Sequence, residues 1–185
     1  MAQFSKNSAL TAVRIALFAA IISVTALVCV PFPIPLTLQT LGIFTALFTL
    51  GGKRGAASVL LYVAIGAVGL PVFSGFTGGI GRLFDLTGGF IIGFLVAAVL
   101  FIPLSRTLKG AASYLIVGGV CQIVIYLFGV LGYIIFSGVS GATVGVGAAI
   151  VSCVLPYIIP DFLKIFIAYV ISKRLRSIIN KGNKS

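Results

Sequence analysis

Residues Ala111–Phe136 read AASYLIVGGVCQIVIYLFGVLGYIIF and contain no charged side chain. An α-helix needs roughly 20 consecutive apolar residues to cross the hydrocarbon core of a bilayer. This stretch is longer than that, so it predicts a transmembrane helix. It is the clearest of several such stretches, and it decides the class of fold.

The whole chain has the same character. Of its 185 residues, 60% are hydrophobic and 8% are charged, and the mean hydropathy is +1.27. A soluble domain carries about 25% charged residues. Because so few charges cannot cover a water-exposed surface, we predict an integral membrane protein whose surface faces the lipid bilayer.

The apolar stretches divide the chain into six predicted spans. The second is short for a full crossing, and the first could instead be a signal peptide, although it is long and lacks a convincing cleavage site. The sequence predicts an all-α integral membrane protein with six transmembrane helices, forming one domain over residues 1–185. The spans are about Ala9–Val30, Leu36–Leu50, Gly55–Val72, Gly88–Leu104, Ala111–Phe136 and 142–176, the last with a break at 156–160.

The positive charges orient these spans. The net charge is +11, but the basic residues form short clusters between apolar runs and not a stripe on a soluble face, which argues against nucleic-acid binding. Lys and Arg accumulate in short cytoplasmic loops of membrane proteins. We therefore predict that both termini are cytoplasmic, because eleven of the thirteen basic residues then lie inside: Lys6, Arg14, Lys53, Arg54, Arg106, Lys109, Lys173, Arg174, Arg176, Lys181 and Lys184.

The residue types exclude most catalytic and metal chemistry. The chain contains no His and no Glu, so the usual metal ligands and general bases are missing. Cys29, Cys121 and Cys153 lie in apolar runs without a CxxC spacing, which favours buried apolar residues over a disulfide or a metal site. No glycine-rich stretch continues into the Lys-Ser/Thr of a P-loop. We expect no catalytic residues, no metal, no cofactor and no ATP hydrolysis by that route.

The remaining charges are the strongest candidates for a ligand site. Arg82 and Asp85 form one short segment, and Asp161 and Lys164 form another, both on the predicted outer side. Charged side chains at membrane depth are costly and usually face a cavity or a partner. Asp161 precedes Lys173 by only roughly 18 Å of helix, against roughly 30 Å of hydrocarbon. This spacing predicts that Asp161 lies inside the membrane boundary.

Two interpretations of this segment stay open. Pro160 suits the first turn of a helix, where its missing N–H costs nothing, and Asp161 would complement the positive helix end. Lys164 then projects from the same helix face, three residues on. The pair either binds a ligand or forms a self-satisfied structural ion pair.

Other features allow a functional or a purely structural interpretation. Gln39 is either a ligand contact or a packing glutamine. The glycine-rich stretch 74–82 either brings backbone close to a ligand or is only a loop. Ala12, Ala16 and Ala20 form a stripe of small residues, which lets another helix approach closely, either within the protein or from a partner.

Four motifs, in order along the chain, resemble one transporter family. They are Pro33–Thr40 (PIPLTLQT), Gly69–Gly75 (GLPVFSG), Thr87–Phe94 (TGGFIIGF) and Pro156–Lys164 (PYIIPDFLK). The resemblance is to biotin-specific S components of energy-coupling-factor transporters, the BioY family, and it covers about Ala9–Arg176. The chain departs from the pattern at Asp85–Leu86, where the family often has proline, and in the order of Ile159–Pro160.

The resemblance implies a six-helix subunit that captures biotin from the extracellular side of a bacterial cell membrane. It also implies partnership with a transmembrane coupling subunit and two ATPase subunits, in part through the alanine stripe. Biotin offers two ureido N–H donors, one ureido carbonyl, an apolar ring system and a carboxylate. Asp161 and Lys164 suit the ureido group, with Gln39 supporting either edge, although Lys164 could equally bind the carboxylate. Tyr157 and Phe73 would supply apolar walls, and Arg82 would meet the carboxylate.

Three alternatives remain at this point. A related vitamin, such as thiamine or riboflavin, could be the ligand. A membrane enzyme acting on lipid would have only two carboxylates for its chemistry. A scaffold that binds only proteins would have no pocket for a small molecule.

Overall fold

The chain folds into seven α-helices across the part that the computed structural model describes, residues 2–31, 34–139, 141 and 143–182. The helices are α1 (Ala2–Leu27), α2 (Gln39–Leu50), α3 (Gly52–Val68), α4 (Gly88–Leu104), α5 (Ala111–Val139), α6 (Val146–Cys153) and α7 (Ile158–Gly182). Short 3₁₀ helices occupy Ile80–Phe84, Ser105–Thr107 and Leu155–Tyr157. Some residues used in the sequence predictions lie outside the described part, namely Pro33, Ala142 and Lys184, as do the side chains of Lys6 and Lys181.

Four helical stretches are long and apolar enough to cross a membrane. They are Ser8–Leu27, Gly88–Thr107, Ala111–Val139 and Val146–Ile179, the last of which joins α6 and α7. The all-α fold class is therefore confirmed, whereas the number of crossings and the side of the termini stay predictions. Helix α2 is apolar but short, and α3 begins with a basic turn.

The first predicted span is too long at its C-terminal end. Helix α1 ends at Leu27, and Cys29–Val30 form strand β1, which pairs antiparallel with strand β2 at Leu36–Thr37. Val30 precedes Pro31, and a residue before proline is pushed from the helical region towards extended backbone. The proline-rich connection is thus a small hairpin, and α2 starts only at Gln39.

Other predicted boundaries shift by a few residues. The third span begins at Gly52 and not at Gly55, so Lys53 and Arg54 belong to the first turn of α3. It ends at Val68, because Gly69 adopts a left-handed φ of 118°. Helix α5 continues past the predicted Phe136 to Val139.

The predicted break in the last span falls slightly earlier than expected. Helix α6 ends at Cys153 and α7 begins at Ile158, so the break occupies residues 154–157 and not 156–160. Pro160 lies in the first turn of α7, as the sequence predicts. Backbone N–H groups in a first turn have no acceptor within the helix, so the missing N–H of proline costs no hydrogen bond there. Asp161 lies in the same turn.

Helix α2 lies at the centre of the bundle. Ten of its twelve residues are buried, and Phe44 and Phe48 belong to the main apolar core. Helix α1 covers this core with its face containing Phe18 and Ile22. The consequence for the site is that side chains at the start of α2 point into protein and can meet α7.

The basic segments gather at one end of the bundle. The rings of Phe48 and Tyr114 are 5.2 Å apart, and the Arg176 guanidinium stacks 4.5 Å from the centre of the Tyr114 ring. Gly52 lies so close to Ser105 that an added Cβ would be 2.8 Å from the hydroxyl oxygen. These contacts bring the end of α2, the ends of α4 and α7, and the start of α5 together.

Candidate ligand site

A buried carboxylate organises the opposite end of the bundle. Asp161 is 5% exposed, and its Oδ1 accepts hydrogen bonds from Lys164 Nζ at 2.8 Å and Thr40 Oγ1 at 3.2 Å. Its Oδ2 accepts from Gln122 Nε2 at 3.0 Å and Tyr126 Oη at 2.7 Å. Donors from α2, α5 and α7 therefore converge on one side chain.

This arrangement pairs the buried charge of Asp161 with an opposite charge and provides hydrogen-bond donors for both of its carboxylate oxygens. Lys164 is buried beside Asp161, so neither charge is left unpaired. A buried charge is tolerated only when it is paired and hydrogen-bonded. The two carboxylate oxygens offer about four lone-pair positions, and the four donors occupy them.

The cluster borders a small cavity between the helix ends and the hairpin. Its volume is about 60 Å³. The polar side is formed by the Asp161 cluster, and the remaining lining is mainly apolar and aromatic. The other lining residues are Ile34, Pro35, Thr37, Ser74, Thr87, Phe90, Phe94, Ile125 and Tyr157.

Tyr157 connects the cavity to the hairpin. Its hydroxyl donates to the carbonyl oxygen of Ile34, and its side chain lines the cavity. Its role as an apolar wall for a ligand stays a prediction. Tyr157 and Ile34 are both buried and pack in a second, smaller apolar cluster with Cys153. The break between α6 and α7 thus holds the loop against the site.

Gln39 and Phe73 are not among the residues that line this cavity, and a contact between either of them and a ligand stays a prediction. Gln39 Nε2 donates to the hydroxyl of Tyr62 at 2.9 Å, and that hydroxyl donates to the Val72 carbonyl at 3.2 Å. Phe73 packs edge-on against Tyr62, with ring centres 5.7 Å apart. Because this turn of α2 directs Gln39 towards α3, the two residues anchor the segment after α3 while the neighbouring Thr40 reaches Asp161.

Arg82 is held at the edge of the site. Its Nη1 lies 2.5 Å from Asp85 Oδ2, and Asp85 Oδ1 accepts from the backbone N–H of Thr87 at 2.8 Å and its hydroxyl at 2.7 Å. Thr87 lines the cavity, whereas Arg82 does not. A contact between Arg82 and a ligand carboxylate stays a prediction.

The alanine stripe faces outward. Ala12, Ala16 and Ala20 are all exposed, whereas the neighbouring Phe18 and Ala19 are buried. The interpretation that the stripe packs inside the protein is therefore wrong. Its role as a docking surface stays a prediction.

Three polar residues at the site were not among the predicted ligand contacts. They are Thr40, Gln122 and Tyr126, which donate to Asp161. Gln122 and Tyr126 are four residues apart and so share a helix face. The sequence did contain a signal for Gln122, because an amide side chain in the middle of an uncharged span is unusual at membrane depth.

The three cysteines fit the sequence interpretation. All are free, Cys121 and Cys153 are buried, and Cys29 is half-buried in β1. They lie on separate elements, so their packing explains them without a shared site.

Comparisons with known proteins identify the family. The family model described as the BioY family matches residues 2–181. A probable biotin transporter BioY of Pyrococcus horikoshii is 39% identical over 88% of this chain and 93% of its own length. The biotin transporter BioY of Thermotoga maritima is 32% identical over 90% and 95%.

The fold agrees with a solved structure at similar coverage. The crystal structure of the S component for biotin from an ECF-type ABC transporter superposes with a TM-score of 0.82, at 27% identity over 93% of both chains. The motif order, the helical fold and the match over nearly the full length thus agree. The chain belongs to the BioY family.

Proposed function

We propose that this chain is the biotin-binding S component of an energy-coupling-factor transporter. The observation that carries the proposal is the buried Asp161–Lys164 pair at the edge of a cavity. The relatives from Pyrococcus horikoshii and Thermotoga maritima are named a probable biotin transporter BioY and a biotin transporter BioY, and the structural neighbour is an S component for biotin. This class is a transport subunit and not an enzyme.

The chemistry of the site matches the ureido ring of biotin. The Asp161 carboxylate is a charged acceptor suited to N–H donors, and the Lys164 ammonium is a donor suited to the ureido oxygen. Phe90, Phe94 and Tyr157 offer apolar surface for the ring and chain. Arg82, held near Thr87, is the candidate partner for the biotin carboxylate.

Binding requires the site to open. Pockets for small molecules usually measure roughly 300–1,000 Å³, whereas this cavity measures about 60 Å³. Two segments beside the cavity lie outside the α-helices, namely the hairpin and residues 69–87. We propose that these segments and the lining side chains move when biotin enters.

The proposed topology has six crossings and cytoplasmic termini. Helices α1 to α5 supply five of them, and α6 and α7 together supply the sixth. The site then faces the extracellular side and the basic end faces the cytoplasm, in line with the positive-inside rule. The exposed alanine stripe would dock a transmembrane coupling subunit, and two ATPase subunits would supply the energy, since the chain itself has no P-loop.

Calorimetric titration of the purified chain with biotin in detergent tests the proposal. We expect saturable heat with biotin, weaker or no heat with thiamine and riboflavin, and no ATP hydrolysis. Saturable binding of another vitamin without binding of biotin would overturn the ligand assignment. Absence of binding by all three would favour a protein scaffold.

A further inference from the structure

Gln122 carries an unused acceptor at the ligand site. It lines the cavity and is 2% exposed. Its amide nitrogen donates to Asp161 Oδ2. Its amide oxygen Oε1 is buried and has no hydrogen-bond partner among the described residues. A buried carbonyl oxygen is normally paired, so this one calls for an explanation.

The orientation of the amide is fixed by its neighbour. An ionised carboxylate can only accept hydrogen bonds, and the Gln122 amide has one donating and one accepting end. The nitrogen must therefore face Asp161, which leaves the oxygen as the free end. A rotation that exchanged the two ends would place two acceptors together and lose the bond to Oδ2.

The acceptors at the site differ in availability. All four lone-pair positions of Asp161 are already matched by protein donors. A ligand N–H reaches Asp161 only if one of those donors withdraws. Gln122 Oε1 is buried but has no protein donor to displace among the described residues, so once the site opens it can accept a ligand N–H without breaking a bond of the protein.

We propose that Gln122 is a specificity-determining residue whose Oε1 accepts one N–H of the cyclic urea of the ligand. This inference rests on the proposed function and deepens it. The Gln122 side chain would then contact the ligand through its oxygen and the Asp161 carboxylate through its nitrogen. A ligand without an N–H donor at this position would leave the buried oxygen unpaired and bind more weakly.

Two variants and three ligands test the proposal. The ligands are biotin and its two analogues in which one or the other ureido nitrogen carries a methyl group. The variants are Gln122→Leu and Thr49→Val, measured by calorimetry beside the wild-type chain. Thr49 is a matched control, because its hydroxyl oxygen is also buried without a partner among the described residues, yet it does not line the cavity.

We expect Gln122→Leu to weaken biotin binding at least about tenfold, and Thr49→Val to leave it unchanged. In the wild-type chain, the analogue methylated at the nitrogen facing Gln122 should bind at least about tenfold more weakly than biotin. In Gln122→Leu that penalty should fall below about threefold, because the contact is already lost. Melting temperatures check folding, and Gln122→Met replaces the leucine variant should it fail to fold.

Biotin affinity within about threefold of wild type in the Gln122 variant would overturn the inference. Equal penalties for methylation in the wild type and the variant would overturn it too, because Gln122 would then act only through Asp161 or through packing. Failure of the wild-type chain to bind biotin would instead overturn the proposed function.

Discussion

At the scale of single residues, Asp161 has a feature that each of the two interpretations left open by the sequence requires. It forms an ion pair with Lys164, as the structural interpretation requires, and it lies on a cavity, as the ligand interpretation requires. The two interpretations are therefore not exclusive. In the proposed function, the protein donors keep the Asp161 carboxylate ordered, so a ligand N–H that displaces one of them meets an acceptor already in position.

We predict that Asp161→Asn weakens biotin binding at least about tenfold. The asparagine lacks the charge and turns an N–H₂ donor towards other donors, and a hydrogen bond to a charged group contributes roughly 1.5–3 kcal/mol. The change also leaves Lys164 buried without its counter-charge, so we expect a lower melting temperature. Calorimetry and thermal unfolding of the variant measure the two effects separately.

Asp85→Asn is the matched control for this prediction. Asp85 also forms an ion pair three residues from its partner, but that pair is partly exposed, and such pairs contribute little to stability. The melting temperature of the Asp85→Asn variant should therefore change less than that of the Asp161→Asn variant. Unchanged biotin affinity in Asp161→Asn, with a lowered melting temperature, would assign Asp161 a structural role only.

The sequence identifies part of this site and misses part of it for a physical reason. Asp161 and Lys164 are conspicuous because charges are rare in the chain. Thr40 and Tyr126 are not, because both residue types occur in apolar helices without any ligand. Polarity alone does not tell which residue at the start of α2 faces α7, because that turn is buried on several sides, and a ligand contact by Gln39 stays a prediction.

At the scale of elements, apolar runs locate the helices but not all of their ends. Helix α4 begins and ends at the predicted residues, where Gly88 and Leu104 border polar segments. The end of α1 is missed because Val28 and Val30 continue the apolar run while the backbone turns into a strand. An apolar run is compatible with either a helix or a strand, so the signal that marks the end of α1 is the following Pro31.

We predict that Ala16→Trp in α1 impairs biotin uptake while leaving binding to the isolated chain nearly unchanged. Ala16 is exposed on the outward face of α1, and a bulky side chain there would prevent close approach of a partner helix. Uptake by cells that contain the coupling subunit and the ATPases, and co-purification with the coupling subunit, are the measurements.

Ile116→Trp serves as the control for the stripe. Ile116 is 67% exposed on α5, so its replacement tests whether any exposed tryptophan disturbs the protein. We expect normal uptake from this variant. Normal assembly and uptake by Ala16→Trp would show that the stripe is ordinary lipid-facing surface.

The contact between α4 and α5 depends on glycine. A Cβ added to Gly132 would lie 2.6 Å from the Cα of Gly89, closer than real side chains approach backbone. We predict that Gly132→Ala destabilises the chain by about 1–3 kcal/mol, the usual cost of overpacking. The melting temperature in detergent should fall accordingly.

Gly119→Ala, on the same helix, separates packing from helix propensity. An added Cβ there would meet only Phe162, at an ordinary 3.8 Å. Alanine favours a helix over glycine by up to about 1 kcal/mol, so Gly119→Ala should leave the melting temperature unchanged or raise it. Equal destabilisation by both variants would contradict the packing explanation.

At the scale of the whole molecule, charge separates the two ends of the bundle. The contacts of Phe48, Tyr114 and Arg176 bring the basic helix ends together, whereas Asp85 and Asp161 lie near the cavity at the other end. The basic end has no acidic residue with which to pair, because the sequence contains only these two. An excess of positive over negative charge is typical of a cytoplasmic face.

This orientation predicts which engineered cysteines are accessible from outside the cell. We expect Ile80→Cys to react with a membrane-impermeant thiol reagent in intact cells, because Ile80 is 65% exposed in the segment next to the cavity. Lys109→Cys, exposed at the basic end, should react only after the membrane is permeabilised. The unmodified chain gives the background, which should be low because Cys121 and Cys153 are buried and Cys29 is half-buried. The reverse labelling pattern would place the cavity on the cytoplasmic side, which would contradict extracellular capture even if biotin binds to the purified chain.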